Sequence, residues 1–501
     1  MTIRSTPPIE FSGELDQLHD RYLTNTRALT SEFLSELDQL CPSSTILEDR
    51  IEHSRDWWPL AMHWSLNAMT PRRPDVVCRP VTTKQVSNVL ALCAKNSVPV
   101  TVSGGRSGVC GAAIPLFAGV VIDMTSMAGV VGVDEVSGLV EVLPGTFGPD
   151  LENLLRDEYG LSVGHFPQSF DISTVGGWIG SRGAGQFSTR YGKIDDMVAG
   201  LEVVLADSSV IMTGTEPAGA VGPNLTSLFV GSEGSLGIIT KVWLRTHPVA
   251  PAERRAAYRF ACFADAVEAM RVAIRSGATP AVLRLYDERE SKRSHDGNGS
   301  QCTLLVLDEG VDLLIDATMS VVESSCRANN CEPADVQLVE RWLSHRNDTS
   351  GLQTLSKSGF VIDTMEVAVA WSRVNQVAQC VKTAIMAVKG ARSATCHISH
   401  SYNDGACIYF TFVAVPATTA LIEVELTYEA IWNAAQNSAL DAGANLSHHH
   451  GIGINRAKFI KRALGPAHDV LVALKLALDP KDILNPGKFG IATSRGEATT
   501  K

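Results

Sequence analysis

The chain has no CxxC pair, no apolar run near the roughly 20 residues that cross a bilayer, no basic tract and no internal repeat. Each absence removes a class of protein. Eleven scattered cysteines, an odd number, do not build a disulfide framework and suit a reducing, cytoplasmic compartment. The N-terminal MTIRSTPPIEFSGELDQ lacks the apolar core of a secretory signal, so a protein without a transmembrane segment is expected. With 43 Lys and Arg against 54 Asp and Glu, a net charge of −11, nucleic acid is not an expected partner. The terminal TSRGEATTK is polar and is not a serine-lysine-leucine peroxisomal address. The GxGxxG of a nicotinamide-binding unit is also missing.

What the chain does have is glycine beside small hydroxyl residues, in three places. PVTVSGGRSG runs a strand into Ser103, Gly104, Gly105, Arg106 and Ser107, and successive backbone N–H groups there can face a pyrophosphate. PQSFDISTVGGWIGSRGAG supplies Gln168, Ser169, Asp171, Ser173, Thr174, Gly176, Gly177, Ser181, Arg182, Gly183 and Ala184. GSEGSLGIIT supplies Glu233, Gly234, Ser235, Gly237, Ile238 and Ile239. Loops without Cβ atoms let backbone press against a flat, phosphorylated ligand, and short hydroxyls donate to its oxygens. The pattern reads as a cofactor cradle.

Residues 1–70 read as a helical lead-in, because LDQLHDRYL and SEFLSELDQL carry leucines at helical spacing; Trp57, Trp58 and Trp64 read as a packed lid. From Pro74 the order becomes strand, helix, strand: DVVCRP, then TTKQVSNVLALCAKNS with Val86, Val89, Leu90, Cys93 and Ala94 on one face and Thr82 or Thr83 as N-cap, then PVTVS. Further strands follow to about residue 249. After that, RRAAYRFACFADAVEAMRVAIRS, CTLLVLDEG and VDLLIDATMSVVES alternate strands with amphipathic helices, as an antiparallel sheet covered by helices would. The expected division is 1–70, 71–249, 250–442, and a segment 443–501 returning to the first domain.

In this order VSGGRSG, PQSFDISTVGGW, SRGA and GSEGSLGII resemble the flavin-binding domain of the vanillyl-alcohol oxidase and p-cresol methylhydroxylase superfamily. LRLYD, SYNDGACIYFTF and LSHHHGIG are similar to its alkyldihydroxyacetonephosphate synthase branch, and ALDPKDILNPGKFG is shared with the glycolate and D-lactate dehydrogenase branch. The resemblance implies an α+β fold with a two-subdomain FAD-binding domain of p-cresol methylhydroxylase type and an antiparallel-sheet cap domain. It implies FAD held by the three glycine-rich blocks, a small-molecule or lipid-like substrate, and a homodimer. Covalent relatives use a histidine in the first loop; GGRSG has none, so non-covalent FAD is expected.

The resemblance also marks a catalytic set: Arg284, Tyr409, His448, His449 and His450. A phenol with a pKa of about 10 needs a nearby cation or histidine relay to act as a base at neutral pH, and an arginine can hold a carboxylate or phosphate in a fork. If the backbone is extended at the triplet, His448 and His450 share a side and His449 faces the other. His397 and His400 could add ligands for a metal. None is assigned, because a histidine stands where the hydroxy-acid branch places its acid. Asp363 and Glu366, near a strand end, read as solvated. The synthase branch carries a substrate arginine in the segment that here reads TSGLQTLSKSG, which has none; Arg346 and Lys357 are nearby but unaligned. The leading expectation is oxidation of an alcohol or hydroxy acid by hydride transfer to flavin N5, with Tyr409 taking the hydroxyl proton. The alternative is the synthase reaction itself, an acyl-to-alkyl exchange through a flavin adduct without net redox change.

Overall fold

A computed structural model describes residues 9–24, 28–348, 351–496 and 498–500, with the side chains of 351 and 352 outside the description. The extreme N-terminus read above for a signal, Thr349 and Ser350 of TSGLQTLSKSG, and the terminal Lys501 lie outside the described residues.

The N-terminal half is built on a four-stranded and a five-stranded sheet, with a small pair Leu161–Ser162 and His247–Pro248 beside them. Strands Val76–Cys78, Val120–Asp123 and Val100–Ser103 run parallel in that spatial order, with Ser43–Ser44 antiparallel at one edge. Helix Thr83–Asn96 covers this sheet. Thr82 caps it by accepting the Gln85 N–H at 3.2 Å, and Val86, Val89, Leu90 and Cys93 form its buried face. The second sheet is antiparallel, in the order Val210–Gly214, Val198–Val204, Ile238–Arg245, Leu139–Val142, Val130–Asp134.

The chain then builds a seven-stranded antiparallel sheet, ordered Glu332–Pro333, Ala252–Phe260, Cys302–Gly310, Val282–Tyr286, Ala391–Ser401, Gly405–Ala414, Val361–Ala370. Period-two alternation gives it two different faces. Leu283, Leu285, Leu304, Val306, Met365 and Val367 face helices Phe263–Arg275, Asp312–Ala328, Val374–Met386 and Leu421–Asp441 in one apolar core. The opposite face carries Arg284, Tyr286, His397 and Tyr409 toward the glycine loops. No described helix is long and apolar enough to cross a membrane.

Near the C-terminus, residues 483–485 bridge to the first sheet. The Val100 N–H donates to Ile483 O and its carbonyl accepts from the Asn485 N–H, both at 2.7 Å, in a parallel bridge. The lead-in differs from expectation. SEFLSELDQL is helical over Ser31–Leu40, but LDQLHDRYL is a 3-10 turn followed by two-residue strands, His19–Asp20 paired to Met69–Thr70 and Tyr22–Leu23 paired to Thr499–Thr500. Long-range pairing overrides local helical spacing there. Trp58 and Trp64 pack edge to face at 5.2 Å in the core, whereas Trp57 lines the cavity described next.

Candidate active site

A cavity of ≈ 840 Å³ lies between the glycine loops and the polar face of the seven-stranded sheet. On the loop side, Ser103, Gly104, Gly105, Arg106 and Ser107 line it, as do Gln168, Ser169, Ser173, Thr174, Gly176, Gly177, Ser181, Gly183, Ala184, Glu233, Gly234, Gly237 and Ile239. The loops touch one another. A Cβ on Gly104 would stand 2.3 Å from Thr174 Oγ1, and one on Gly105 would stand 2.1 Å from Ile172 O.

Four of the residues expected in the cradle do not line the cavity. Asp171 is exposed on the 3-10 turn Phe170–Ile172. Arg182 ends helix Val175–Ser181 in a left-handed conformation and pairs with Asp195 at 2.8 Å. Ser235 donates to Ser232 O at 2.7 Å, and Ile238 belongs to the core under the first sheet. Arg106 lines the cavity, yet its guanidinium is engaged by Glu52 at 2.9 Å and His53 at 3.0 Å.

The sheet side is organised by register. Tyr286 pairs with His397, His397 with Tyr409, and Tyr409 with Glu366, so one residue from each of four adjacent strands stands in a row. Arg284 donates to the Tyr286 hydroxyl at 3.0 Å and to His397 Nε2 at 2.8 Å. A guanidinium only donates, so His397 must carry its proton on Nδ1, which faces Glu290 Oε2 at 2.9 Å. Burial keeps His397 below its ordinary pKa. Burial pushes Glu290 upward, but its bonds from His397 and from Thr395, at 2.7 Å, outweigh that and bring it to about 2.

Tyr409 donates to Thr364 Oγ1 at 2.9 Å, with its ring stacked on His397 at 4.9 Å and on His449 at 6.0 Å. Burial raises its phenol pKa. A second arginine reaches the cavity. Arg346 lies over the rings of Phe187, Phe166 and Trp342 at 5.0, 5.5 and 5.8 Å, and it has no carboxylate ion pair among the described residues. Burial lowers its pKa. Sequence reasoning left Arg346 aside; the detectable signal was Trp342 one turn earlier on the amphipathic helix Gln337–His345. His165, also missed, lines the cavity with both ring nitrogens unpartnered among the described residues, its ring 4.7 Å from Trp178.

The histidine triplet is not extended. The backbone N–H groups of His448, His449 and His450 converge on Glu366 Oε1 at 3.1, 3.0 and 2.9 Å, which curls the loop. His449 and His450 therefore both line the cavity. His448 does not: its Nε2 meets the Tyr402 hydroxyl at 2.7 Å and its Nδ1 meets His449 Nδ1 at 2.8 Å. Burial, then Lys193, brings His448 to about 3, and burial holds His449 and His400 well below the ordinary range. Donor atoms of His400, Cys407, His448 and His449 lie within 4.8 Å of one another. Asp363 and Glu366, read as solvated, are buried at 2% and 0% exposure. Asp363 accepts from Tyr428 and, at 3.1 Å, from Trp432 Nε1.

A glycine-lined cradle thus faces a sheet row of arginine, histidine and tyrosine, and the comparisons with known proteins place the chain among flavoenzymes of the FAD-linked oxidase class. Residues 74–214 match the family model described as FAD binding domain, and residues 250–489 match that of FAD linked oxidases, C-terminal domain. The chain belongs to the FAD-linked oxidase family. It is 30% identical to the uncharacterized FAD-linked oxidoreductase YgcU of Escherichia coli (strain K12), over 83% of this chain and 88% of that one. It is 29% identical to the alkyldihydroxyacetonephosphate synthase of Trypanosoma brucei brucei, over 91% and 80%, and 27% identical to glycolate oxidase subunit GlcD of Bacillus subtilis (strain 168), over 83% and 89%. Among solved structures, an alkyldihydroxyacetonephosphate synthase superposes with a TM-score of 0.78 at 23% identity, covering 97% of this chain and 91% of that one. A p-cresol methylhydroxylase with substrate bound gives 0.74 at 17% identity, covering 94% and 99%. Both likenesses concern the fold.

The protein is an enzyme, and FAD is its cofactor. The residues present fit that group. Ser103 Oγ is buried and without a partner among the described residues at the head of the glycine loop, and the contact of Gly104 with Thr174 leaves no room for a side chain.

Proposed function

We propose that this enzyme oxidises a small alcohol or 2-hydroxy acid bearing an anionic group. Residues 71–249 hold FAD, 250–442 form the substrate cap, and 443–501 bring the histidine loop back between them. The single observation that carries the reading is the sheet row Tyr286–His397–Tyr409–Glu366, which sets Arg284 and Tyr409 on the same cavity as the glycine loops. Bound FAD supplies the two-electron acceptor. Ser103 to Ser107, Gln168 to Thr174, Ser181 to Ala184 and Glu233 to Ile239 are the segments proposed to hold it. The binding is non-covalent, since the first loop offers no histidine and the Arg106 side chain is tied to Glu52 and His53.

Arg284 and Arg346 bind the substrate anion: Arg284 is oriented by His397 and Tyr286, Arg346 by its aromatic platform. Tyr409 acts differently from the base suggested by sequence. Burial keeps its phenol protonated at neutral pH, so it serves as a hydrogen-bond donor once its O–H turns from Thr364 Oγ1 to the substrate oxygen. The hydroxyl proton goes to His449 Nε2 in the tautomer where His449 donates its Nδ1–H to His448 Nδ1, which leaves Nε2 of the neutral ring as the acceptor. No metal is assigned, since His449 is given to the substrate proton and no ion is needed at the cluster of His400, Cys407, His448 and His449.

The test is to mix purified holoenzyme anaerobically with a panel of 2-hydroxy acids and alcohols and follow the flavin band. Bleaching that reverses with an artificial acceptor is the expected result. A second reading, alkyl exchange, is favoured by Leu355, Ile362 and Val413 on the same cavity wall. Exchange of labelled fatty alcohol into an acyl-ketone phosphate, without stoichiometric flavin reduction, would replace the first reading with that one.

A further inference from the structure

Glu366 stands directly across the sheet from Tyr409, yet it does not line the cavity. Its carboxylate is spent on the histidine loop. Oε1 accepts three consecutive backbone N–H groups, from His448, His449 and His450, and also the Ser447 hydroxyl at 2.8 Å. Oε2 takes the Arg456 guanidinium and lies 3.1 Å from His450 Nδ1. Arg456 is itself 0% exposed.

We propose that Glu366 is a positioning residue for the reaction, fixing the directions in which the histidine rings leave the backbone. This rests on the reading that His449 accepts the substrate proton. An extended triplet would turn His449 away from its two neighbours. Convergence of three adjacent N–H groups on one oxygen is incompatible with an extended chain, and the curl that results puts His449 and His450 on the cavity together. The proximity of Oε2 to His450 Nδ1 also limits that ring's rotation.

The acceptor must be an ionised carboxylate. Every group around it donates: three amides, a hydroxyl and a guanidinium. Burial favours protonation, but Arg456 and then His450 hold Glu366 well below the usual carboxylate range. A glutamine has the same shape with a donor on one arm, and that arm would face Arg456.

The role separates from simple packing by its kinetic signature. In Glu366→Gln holoenzyme, the anaerobic bleaching rate at saturating 2-hydroxy acid is expected to fall by about 100-fold, the scale of a small misplacement of catalytic groups. The half-saturating concentration should stay within about threefold, because Arg284 and Arg346 are untouched. Amide hydrogen exchange should accelerate in the peptide spanning 447–450. If unpaired Arg456 prevents folding, the double variant Glu366→Gln with Arg456→Met removes the buried pair as a unit, which proteins often tolerate, and the same readouts apply. A soluble, flavin-replete variant that bleaches at the wild-type rate would overturn the proposal, as would a loss confined to the half-saturating concentration. Should no alcohol or hydroxy acid reduce the wild type, the proposed reaction fails by itself. Hydrogen exchange then decides: unchanged protection at 447–450 in the variant overturns the positioning role.

Discussion

The chemistry of single side chains in this cavity is set by who donates to whom. Arg284 cannot accept, so it forces the tautomer of His397, whose Nδ1–H then donates to the Glu290 carboxylate. Arg346 is held by aromatic faces instead of a carboxylate, leaving its charge for a ligand. Arg346→Ala is therefore expected to raise the half-saturating concentration of an anionic substrate by about 10- to 100-fold, the equivalent of a charged hydrogen bond of roughly 1.5–3 kcal/mol. Arg346→Lys should recover only part of this, since an ammonium lacks the planar fork and stacks poorly. Equal half-saturation in wild type and Arg346→Ala would remove the residue from the site. Tyr409 and Arg284 were reachable only through the resemblance of their motifs to the synthase branch, since a tyrosine in the alternating CIYFTF otherwise reads as a packed strand residue. Arg346 was not, because its platform joins Phe166, Phe187 and Trp342 from separate parts of the chain. Glu366 was illegible for the same reason, its partners lying 81 to 90 residues away.

Among elements, the loops that follow strand Val100–Ser103 and precede helix Val175–Ser181 lock together through backbone contact. Gly105→Ala puts a methyl carbon against Ile172 O, where neither backbone can yield without opening the cradle. The variant is expected to purify with little or no FAD, read as the ratio of 450 to 280 nm absorbance; a fully yellow Gly105→Ala protein would place the cofactor elsewhere. Helices Ser31–Leu40 and Thr83–Asn96 were readable because a threonine cap and an apolar stripe agree. LDQLHDRYL carries similar leucines and fails, since Met69–Thr70 and Thr499–Thr500 supply strand partners that no local pattern announces. The curl of the histidine loop was likewise unreadable: it is imposed by an acceptor on another strand.

For the molecule as a whole, burial of histidine sets the response to acid. His165 and His448 are pushed to about 3 and His63 and His295 to about 4, chiefly by burial; His247, His397, His400 and His449 are lowered as well. Unfolded, each binds a proton near 6.5. Between 6.5 and about 3 the unfolded chain holds more protons, so these groups remove stability as pH falls. Opposing them, burial raises Asp56 to about 7 and Asp363 to about 6, and Asp75, Glu233, Asp308 and Glu309 shift the same way. His53 is also raised, because Asp123 and Asp49 outweigh its burial, and it too gains stability on acidification. Eight lowered histidines dominate near pH 5.5, where most of them would be charged if unfolded. The thermal midpoint is expected to fall steadily from pH 7 to pH 5, by several degrees; a flat or rising midpoint over that interval would contradict the assignment.

The histidine loop is gripped from both halves of the molecule. Glu366 of the seven-stranded sheet holds 447–450, while Glu233, beside the third glycine block, accepts the N–H groups of Ile452 at 2.6 Å and Gly453 at 3.0 Å. Neither half can shift against the other without tearing amides from a buried carboxylate. The loop is thus a gauge of assembly: its rings point correctly only when the cradle, the sheet and the end of the chain are in place together. A half-built molecule would keep its glycine loops and still lack the ordered histidine rings beside them.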